Sequence, residues 1–484
     1  MQRSPLILLQ RIQQPRIHPL HQIITPLVQL IDRPLHSCNV RVRSSRIASL
    51  VLLMPEVEVS SVLCHRNRQQ TIGLNLSDRR LMPGRRILIL HPHYQKSIEH
   101  TKSPPELYQL TSQLPEPAKP SRLDPDLMTS STTTKRVLIY RLGSLGDTVI
   151  ALPSLHLVAR AFPNAERRML TNFPVNVKAP PAAAILDNTN LVHGFFRYAA
   201  GTRSPRDLTS LWWQLLRWRP EVLIYLAAPR GIEAARRDAT FFRLCGIRHL
   251  VGVPLTPDMQ QNCREESSQV LEPEAARLAR NLTELGDAYL ESPTSWELLL
   301  TPAEQARARQ ALSAADGKPL IAVSVGTKRQ SKDWGRENWR SLLNATSRTY
   351  PGHVLALLGS PDESEASEYA AQDWREFSNS AVINLCGLLT PRESAAVLTL
   401  ARIFIGHDSG PMHLAAAVQT PCVAIFSARN KPRVWFPYGN QHRVLYRQVD
   451  CWGCNLETCI VEKKKCITSI TVEEVLAQVH GLLD

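Results

Sequence analysis

A chain of 484 residues exceeds what one hydrophobic core can hold and calls for two or three domains. Its 43% hydrophobic and 21% charged residues exclude a disordered, collagen-like or coiled-coil polymer. The net charge of +14 suggests an anionic partner, yet residues 1–134 carry 17 Lys+Arg against 9 Asp+Glu, a net +8, and leave only +6 to the remainder.

That first quarter also holds 14 of the 35 prolines but 2 of the 21 glycines, with no Trp and no Phe, a composition foreign to the rest of the chain. Residues 1–134 are therefore expected to be a basic, Pro-rich extension, either disordered or read from a start upstream of the working protein. Its one strand-like piece is the run over 85–90. No apolar run approaches the ~20 residues of a membrane-spanning helix, and the run over 6–9 is too short for the core of an export signal.

A strand over 137–140 opens the packed body. The loop Arg141-Leu142-Gly143-Ser144-Leu145-Gly146-Asp147 comes next, and then helical spacing over 148–162 that Pro153 kinks or restarts. Strands over 222–226 and 250–253 alternate with helices over 208–218 and 233–245, the pattern of a parallel sheet covered on both faces. A second set starts after a helix over 303–315. Its strands over 320–325, 354–358, 403–405 and 422–426 each stop at a small residue, Gly326, Gly359, Gly406 and Ser427. The fold class is thus α/β, with two Rossmann-like domains over 135–300 and 301–484 facing a cleft. Ligands of such sheets bind just beyond the carboxyl ends of the strands, so the loops after these stops are where chemistry is expected.

The sharpest of those loops is Gly406-His407-Asp408-Ser409-Gly410-Pro411-Met412-His413, which leads into the helical Leu414-Ala415-Ala416-Ala417. Small residues let backbone N–H groups reach a diphosphate, the helix N-terminus adds its dipole, and Ser409 and His413 supply side-chain donors. A plain N-cap by Asp408 or Ser409 is the competing reading. Upstream, Gly326-Thr327-Lys328-Arg329-Gln330-Ser331-Lys332-Asp333-Trp334 is a basic loop suited to phosphate through Lys332, or else a solvated surface loop.

Taken together, Leu142-Gly143-Ser144-Leu145-Gly146-Asp147 with Pro153, Phe162-Pro163-Asn164-Ala165, Lys332-x-Trp334, Gly359-Ser360-Pro361-Asp362-Glu363 and the loop 407–415 resemble the family 9 glycosyltransferases, the ADP-heptose:lipopolysaccharide heptosyltransferases. The resemblance covers about 135–484. It implies a GT-B fold and inverting transfer of a heptose from ADP-heptose to a lipopolysaccharide core-type acceptor. It also implies that no cofactor or metal is required for catalysis. It makes Asp147 the general base, at the end of a glycine loop that includes Gly143 and Gly146. Thr327, Lys332 and the N–H groups at Ser409, Gly410 and following residues become donor-phosphate ligands, Asp408 and His413 further donor-binding residues, Glu363 the acceptor for the ribose hydroxyls, and Leu389 part of the adenine pocket. The competing reading of Asp147 is an ordinary first-turn cap. His407 stands where the family commonly has Asn, and Gly335 where it commonly has Pro.

Cys451, Cys454, Cys459 and Cys466 bring the ligand types of a structural zinc or iron–sulfur site, though four reduced, packed thiols fit the spacing as well. Arg141, Arg197, Arg203, Arg206, Arg230, Arg236 and Arg237 lie in the half to which the resemblance assigns the acceptor, a lipid-linked anionic saccharide. The stripe Leu211-Trp212-Trp213-x-Leu215-Leu216-x-Trp218 reads as helix core, or as a contact with the inner membrane surface. The expected location is the cytoplasm, at the inner face of the cytoplasmic membrane, and nucleic acid is not an expected partner. Three other readings stay open: a transferase of this fold using another nucleotide sugar, a non-catalytic nucleotide-binding protein, and a nucleic-acid binder acting through the basic extension.

Overall fold

The computed structural model describes residues 107–108, 134–173, 181–199, 202, 204–264, 270–377 and 380–484. Of the basic extension, all but Leu107–Tyr108 and Thr134 lies outside the described residues, including the run 85–90.

Five strands form the first sheet: β2 (Arg136–Tyr140), β3 (Glu166–Asn172), β4 (Gly194–Tyr198), β5 (Val222–Tyr225) and β6 (His249–Val251). They are all parallel in the order β4-β3-β2-β5-β6. Helices α1 (Leu145–Ile150), α2 (Leu152–Ala161), α3 (Ala183–Leu186), α4 (Pro205–Trp218), α5 (Ile232–Leu244) and α6 (Glu274–Arg280) accompany it. The break between α1 and α2 falls at Ala151, and Pro153 sits in the first turn of α2, where its missing N–H costs nothing.

β3 has no apolar run, because Glu166, Arg167 and Arg168 occupy half of it. Arg167 is nonetheless buried, its guanidinium donating to the carbonyls of Phe162, Asn190 and Leu191. Those bonds compensate the cost of burying its charge, which is how an interior strand tolerates an Arg.

The second sheet contains β7 (Leu320–Ser324), β8 (Val354–Leu357), β9 (Val382–Asn384), β10 (Ala401–His407), β11 (Cys422–Phe426) and β12 (Arg443–Tyr446), all parallel. The pair Leu107–Tyr108, β1, adds antiparallel to β12 at the edge and completes the order β1-β12-β11-β10-β7-β8-β9. Its helices are α7 (Pro302–Ala311), α8 (Arg336–Thr349), α9 (Ser364–Ala370), α10 (Gln372–Phe377), α11 (Pro391–Leu398), α12 (Gly410–Ala417), α13 (Lys465–Thr468) and α14 (Val472–Leu483). Strand order 3-2-1-4-5-6, counted from β7 as the first, is the doubly wound arrangement whose crevice lies at the strand carboxyl ends between β7 and β10.

One apolar cluster runs from Val137 and Leu155 through Trp296 and Leu298 to Ala395 and Tyr446, so the two sheets share packed surface. Arg392 on α11 joins them through polar bonds. Its guanidinium forms a bidentate pair with Glu304 on α7 (2.6 and 2.9 Å) and donates to Ile185 O on α3 and to Leu298 O and Leu299 O. With its side chain only 5% exposed, removing it strands a carboxylate and three carbonyls. Arg392→Ala is expected to cost about 3–5 kcal/mol. Urea unfolding should show it as a lower midpoint at unchanged slope.

The helix-core reading of the stripe 211–218 holds for one face of α4. Leu211, Leu215 and Trp218 on α4 are buried, whereas Trp212 and Trp213 stand 38% and 62% exposed.

Candidate active site

β7 and β10 are adjacent, so the loop after β7 and the turn after β10 lie side by side. His407, the last residue of β10, joins them. Its Nε2 accepts the N–H of Trp334 (3.1 Å) and the indole N–H of Trp339 (3.3 Å), which leaves its proton on Nδ1, facing Gly326 O. Burial pushes its pKa down to about 4, and it is a neutral brace for the Lys332 loop.

Lys332 points across to Asp408, its ammonium 2.5 Å from Oδ2 and 3.1 Å from the backbone carbonyl. Burial pushes the Asp408 carboxyl up, but Lys332, His413 and Arg429 outweigh this and hold it below its ordinary value. Asn430 donates to the same oxygen (3.1 Å) and the His413 Nε2 lies 3.9 Å from the other. Ser409 occupies the N-cap position of α12 in extended backbone but makes no cap bond, and its buried hydroxyl has no hydrogen-bond partner among the described residues. The plain-cap reading of Ser409 is therefore not what the structure contains. An unsatisfied buried hydroxyl beside free helix N–H groups and a lysine is the arrangement an anion completes.

Facing it is the glycine loop. Gly143 has φ +143°, and a Cβ there would run into the Asp147 side chain. Asp147 Oδ2 accepts the Ser144 N–H (2.7 Å) and Ser144 hydroxyl (2.9 Å), a capping box for α1, while Oδ1 looks toward Arg141 at 3.8 Å. The capping reading of Asp147 is thus realised, and it leaves one oxygen of a side chain that is 25% exposed. The N-termini of α1 and α12 meet. A Cβ on Gly146 would lie 2.8 Å from the His413 ring, and one on Gly410 would lie 3.0 Å from Leu145. These two glycines permit the approach that sets Asp147 beside the proposed anion site.

The other expected residues spread around this centre. Thr327 accepts the Arg329 N–H within its own loop (3.4 Å). Glu363 caps its own turn through Ser360 N (2.7 Å), and its carboxyl fills the space over Gly326. Leu389 is half-buried against the main core.

Among the acceptor arginines Arg141 needs correction, because it is 1% exposed and cannot meet a ligand at the surface. It donates to Leu226 O (2.5 Å) and Asp147 O (2.6 Å) and so positions the glycine loop from behind. Arg230 is held by Asp238 and Tyr140, Arg236 pairs with Glu233, and Arg197 lies over the Phe173 ring. Arg206 and Arg237 are exposed, and Arg203 lies outside the described residues.

The cysteines do not assemble a metal site: among the described residues no three His, Cys, Asp or Glu are grouped to hold an ion. Cys454 is exposed, Cys459 accepts the Lys464 N–H, and Cys466 packs against the apolar core. Burial, and after it the nearby Cys451, Cys459 and Cys454, push the Cys466 thiol up, so the four thiols lie near one another. A cavity of about 150 Å³ lined by Trp296, Tyr438 and Glu291 lies apart from the Lys332–Asp408 centre and shares none of its residues.

Sequence reading missed Asn172, which accepts the Gly143 N–H, and Arg429 and Asn430, which back Asp408. Only the position of Arg429 and Asn430 after β11 signalled them.

His407, His413 and His442 are all pushed down to about 4 by burial, against about 6.5 when unfolded. The unfolded chain therefore binds more protons, so this stability is complete above about pH 6.5 and is lost as pH falls toward 4. A melting temperature that declines steadily from pH 7 to 4.5 is the expected result, and a flat profile would contradict it.

Residues 260–465 match the profile of glycosyltransferase family 9 (heptosyltransferase). The lipooligosaccharide heptosyltransferase 2 of Campylobacter jejuni is 26% identical over 170 residues, 35% of this chain and 52% of that protein. A lipopolysaccharide heptosyltransferase 3 of Escherichia coli is 29% identical over 163 residues, 33% of this chain and 45% of its own length. The chain thus spans about half the length of the curated relatives it matches. Among solved structures, a family 9 glycosyl transferase from Veillonella parvula superposes with a TM-score of 0.54 at 18% identity, over 72% of this chain and 97% of that one. That likeness bears on the fold, which is the GT-B arrangement of two Rossmann-like sheets.

Proposed function

From the match of residues 260–465 to the profile of glycosyltransferase family 9, we propose that this chain belongs to that family and is an inverting glycosyltransferase that moves a heptose from ADP-heptose to a lipopolysaccharide core-type acceptor. The observation that carries the reading is the unsatisfied Ser409 hydroxyl at the N-terminus of α12, beside the Lys332–Asp408 pair and opposite Asp147.

In this reading the donor diphosphate lies on the α12 N–H groups, with Ser409 donating, Lys332 supplying charge, and Thr327 and His413 at its flanks. Glu363 accepts from the ribose and Leu389 lines the adenine pocket. The acceptor hydroxyl approaches from the β2 side. Asp147 takes its proton through Oδ1 as the oxygen attacks the anomeric carbon, and the carbon–diphosphate bond breaks on the opposite face with inversion. Lys332 and the helix dipole stabilise the charge that develops on the departing ADP. Oδ2 stays bonded to Ser144, which keeps the base aimed during the step.

The proposed acceptor is a lipid-linked anionic saccharide, and the protein works in the cytoplasm against the inner membrane face. No helix among the described residues is long and apolar enough to cross a membrane. Trp213 is 62% exposed and shares one face of α4 with exposed Arg206 and Arg217, a combination suited to an anionic lipid surface.

Thermal-shift titration with ADP-heptose, UDP-glucose and GDP-mannose, followed by ADP release in the presence of acceptor, tests the reading. Stabilisation by ADP-heptose with acceptor-dependent ADP release is expected. Binding without turnover would make the chain a nucleotide-binding protein, and stabilisation by another nucleotide sugar alone would reassign the donor.

A further inference from the structure

The cysteine-rich segment remains without a role after the donor site is assigned. It lies directly against that site. Ser331, the neighbour of Lys332, donates its N–H to Glu457 O (3.1 Å) and its hydroxyl to Leu456 O (2.7 Å). Gln330 accepts the Cys459 N–H (2.9 Å), and the Lys464 ammonium holds both the backbone carbonyl (2.9 Å) and the carboxylate (3.0 Å) of Asp333. Residues on both sides of Lys332 are thus tied to the segment.

The same segment reaches the other half of the site. Leu456 O also accepts Arg429 Nε (2.8 Å), so a single carbonyl bonds the loop after β7 and the loop after β11. Arg429 further donates to Asn455 O and to Asn430 Oδ1, and Asn430 donates to Asp408. A continuous chain of bonds therefore runs from Ser331 through Leu456, Arg429 and Asn430 to the carboxylate that pairs with Lys332.

The Cys459 thiol has a part in this. Its sulfur accepts the Lys464 N–H (3.4 Å), closing the turn that aims the Lys464 ammonium at Asp333. Lys463 and Lys464 hold positive φ (45° and 62°), a conformation unfavourable for lysine that surrounding bonds must impose.

We propose that residues 455–464 are a positioning clamp for the nucleotide-sugar site, setting the separation of Lys332 and Asp408 from outside the cleft. The proposal rests on the donor-site reading. None of the clamp residues touches the donor. They act by tying the loop after β7 and the loop after β11 to one segment, in addition to the contacts that His407 and the Lys332–Asp408 pair make between the loop after β7 and the turn after β10, so the spacing of the phosphate ligands depends on them.

Ser331→Ala and Lys464→Met in the full chain test this, with Lys464→Arg as the conservative rescue. The expected result is a KM for ADP-heptose, and a Kd for ADP, raised about tenfold by each of the first two, with kcat within about twofold and the melting temperature nearly unchanged. Lys464→Arg should restore most of the affinity. Hydrogen exchange without nucleotide supplies an independent readout: backbone amides of 329–334 should exchange faster in both variants. A lower melting temperature with unchanged KM, or a fall in kcat alone, overturns the clamp. Unchanged exchange at 329–334 overturns it whatever the nucleotide. A parent chain that binds no nucleotide sugar, yet shows the exchange difference, overturns the donor reading and leaves the clamp as a property of the loop.

Discussion

Asp147→Asn should lower turnover about 10²–10⁴-fold while leaving nucleotide-sugar affinity within about threefold. The substitution is chosen for the double role of this side chain. An Asn oxygen can still accept the Ser144 N–H now held at 2.7 Å, so the N-terminus of α1 keeps its cap, but an amide cannot take the acceptor proton. Asp147→Ala removes both and should add a stability loss of about 0.5–2 kcal/mol to the same loss of turnover. ADP release from ADP-heptose with acceptor present measures the first effect, and thermal melting separates the second. If the Asn variant turned over like the parent, Asp147 would be a cap and nothing more.

Lys332→Ala is expected to be the most damaging change in the donor half. The Asp408 side chain is 6% exposed, and without the ammonium at 2.5 Å it keeps Asn430, a neutral His413 and the charge of Arg429. Stranding a buried carboxylate in this way costs about 3–5 kcal/mol, and the diphosphate loses its principal positive charge. The two consequences can be separated. Adding Asp408→Asn to Lys332→Ala should recover much of the stability, because no buried charge is left unpaired, whereas ADP affinity should stay at least about tenfold weaker than in the parent. ADP binding restored along with stability would remove Lys332 from the donor site. Lys332→Arg is expected to rescue only in part, since the wider guanidinium needs more room than the compact ammonium that lies 2.5 Å from Asp408 Oδ2 with its side chain 14% exposed.

Much of the fold was legible because the signals are local. Strands β2, β7, β10 and β11 are short apolar runs ending at or near small residues, and the loops after them carry the candidate chemistry. β3 was hidden because Arg167 is satisfied by carbonyls from residues before and well after it, which no run of hydrophobicity reports. The Trp stripe of α4 was ambiguous for a similar reason: helical spacing identifies a face, but which tryptophan faces outward depends on the sheet beneath.

The candidate site divided in the same way. Asp147, Lys332, Asp408, Ser409 and His413 could be singled out from loop chemistry and family resemblance. Their partners could not. Arg141 reads as one of the acceptor arginines and is the buried support of the glycine loop; Ser409 reads as a phosphate donor or a cap and makes no cap bond; Asp147 does cap, which leaves its second oxygen.

The sequence by itself determined the α/β class, the succession of strands and turns, the concentration of more than half the net positive charge in the first quarter, and the candidates for the residues that bear chemistry. These depend on side-chain type and on spacings of a few residues, which the chain carries in any conformation. Only the tertiary structure decided what each polar atom meets. Lys332 finds Asp408 at a separation of 76 positions and Ser331 finds Leu456 at 125, through a sheet order that brings β7 beside β10 and folds the cysteine segment over both loops. The reason is burial: a charge or hydroxyl removed from water must find its partner in space, and whether that partner is supplied by the chain or left for a ligand is a property of the packed whole.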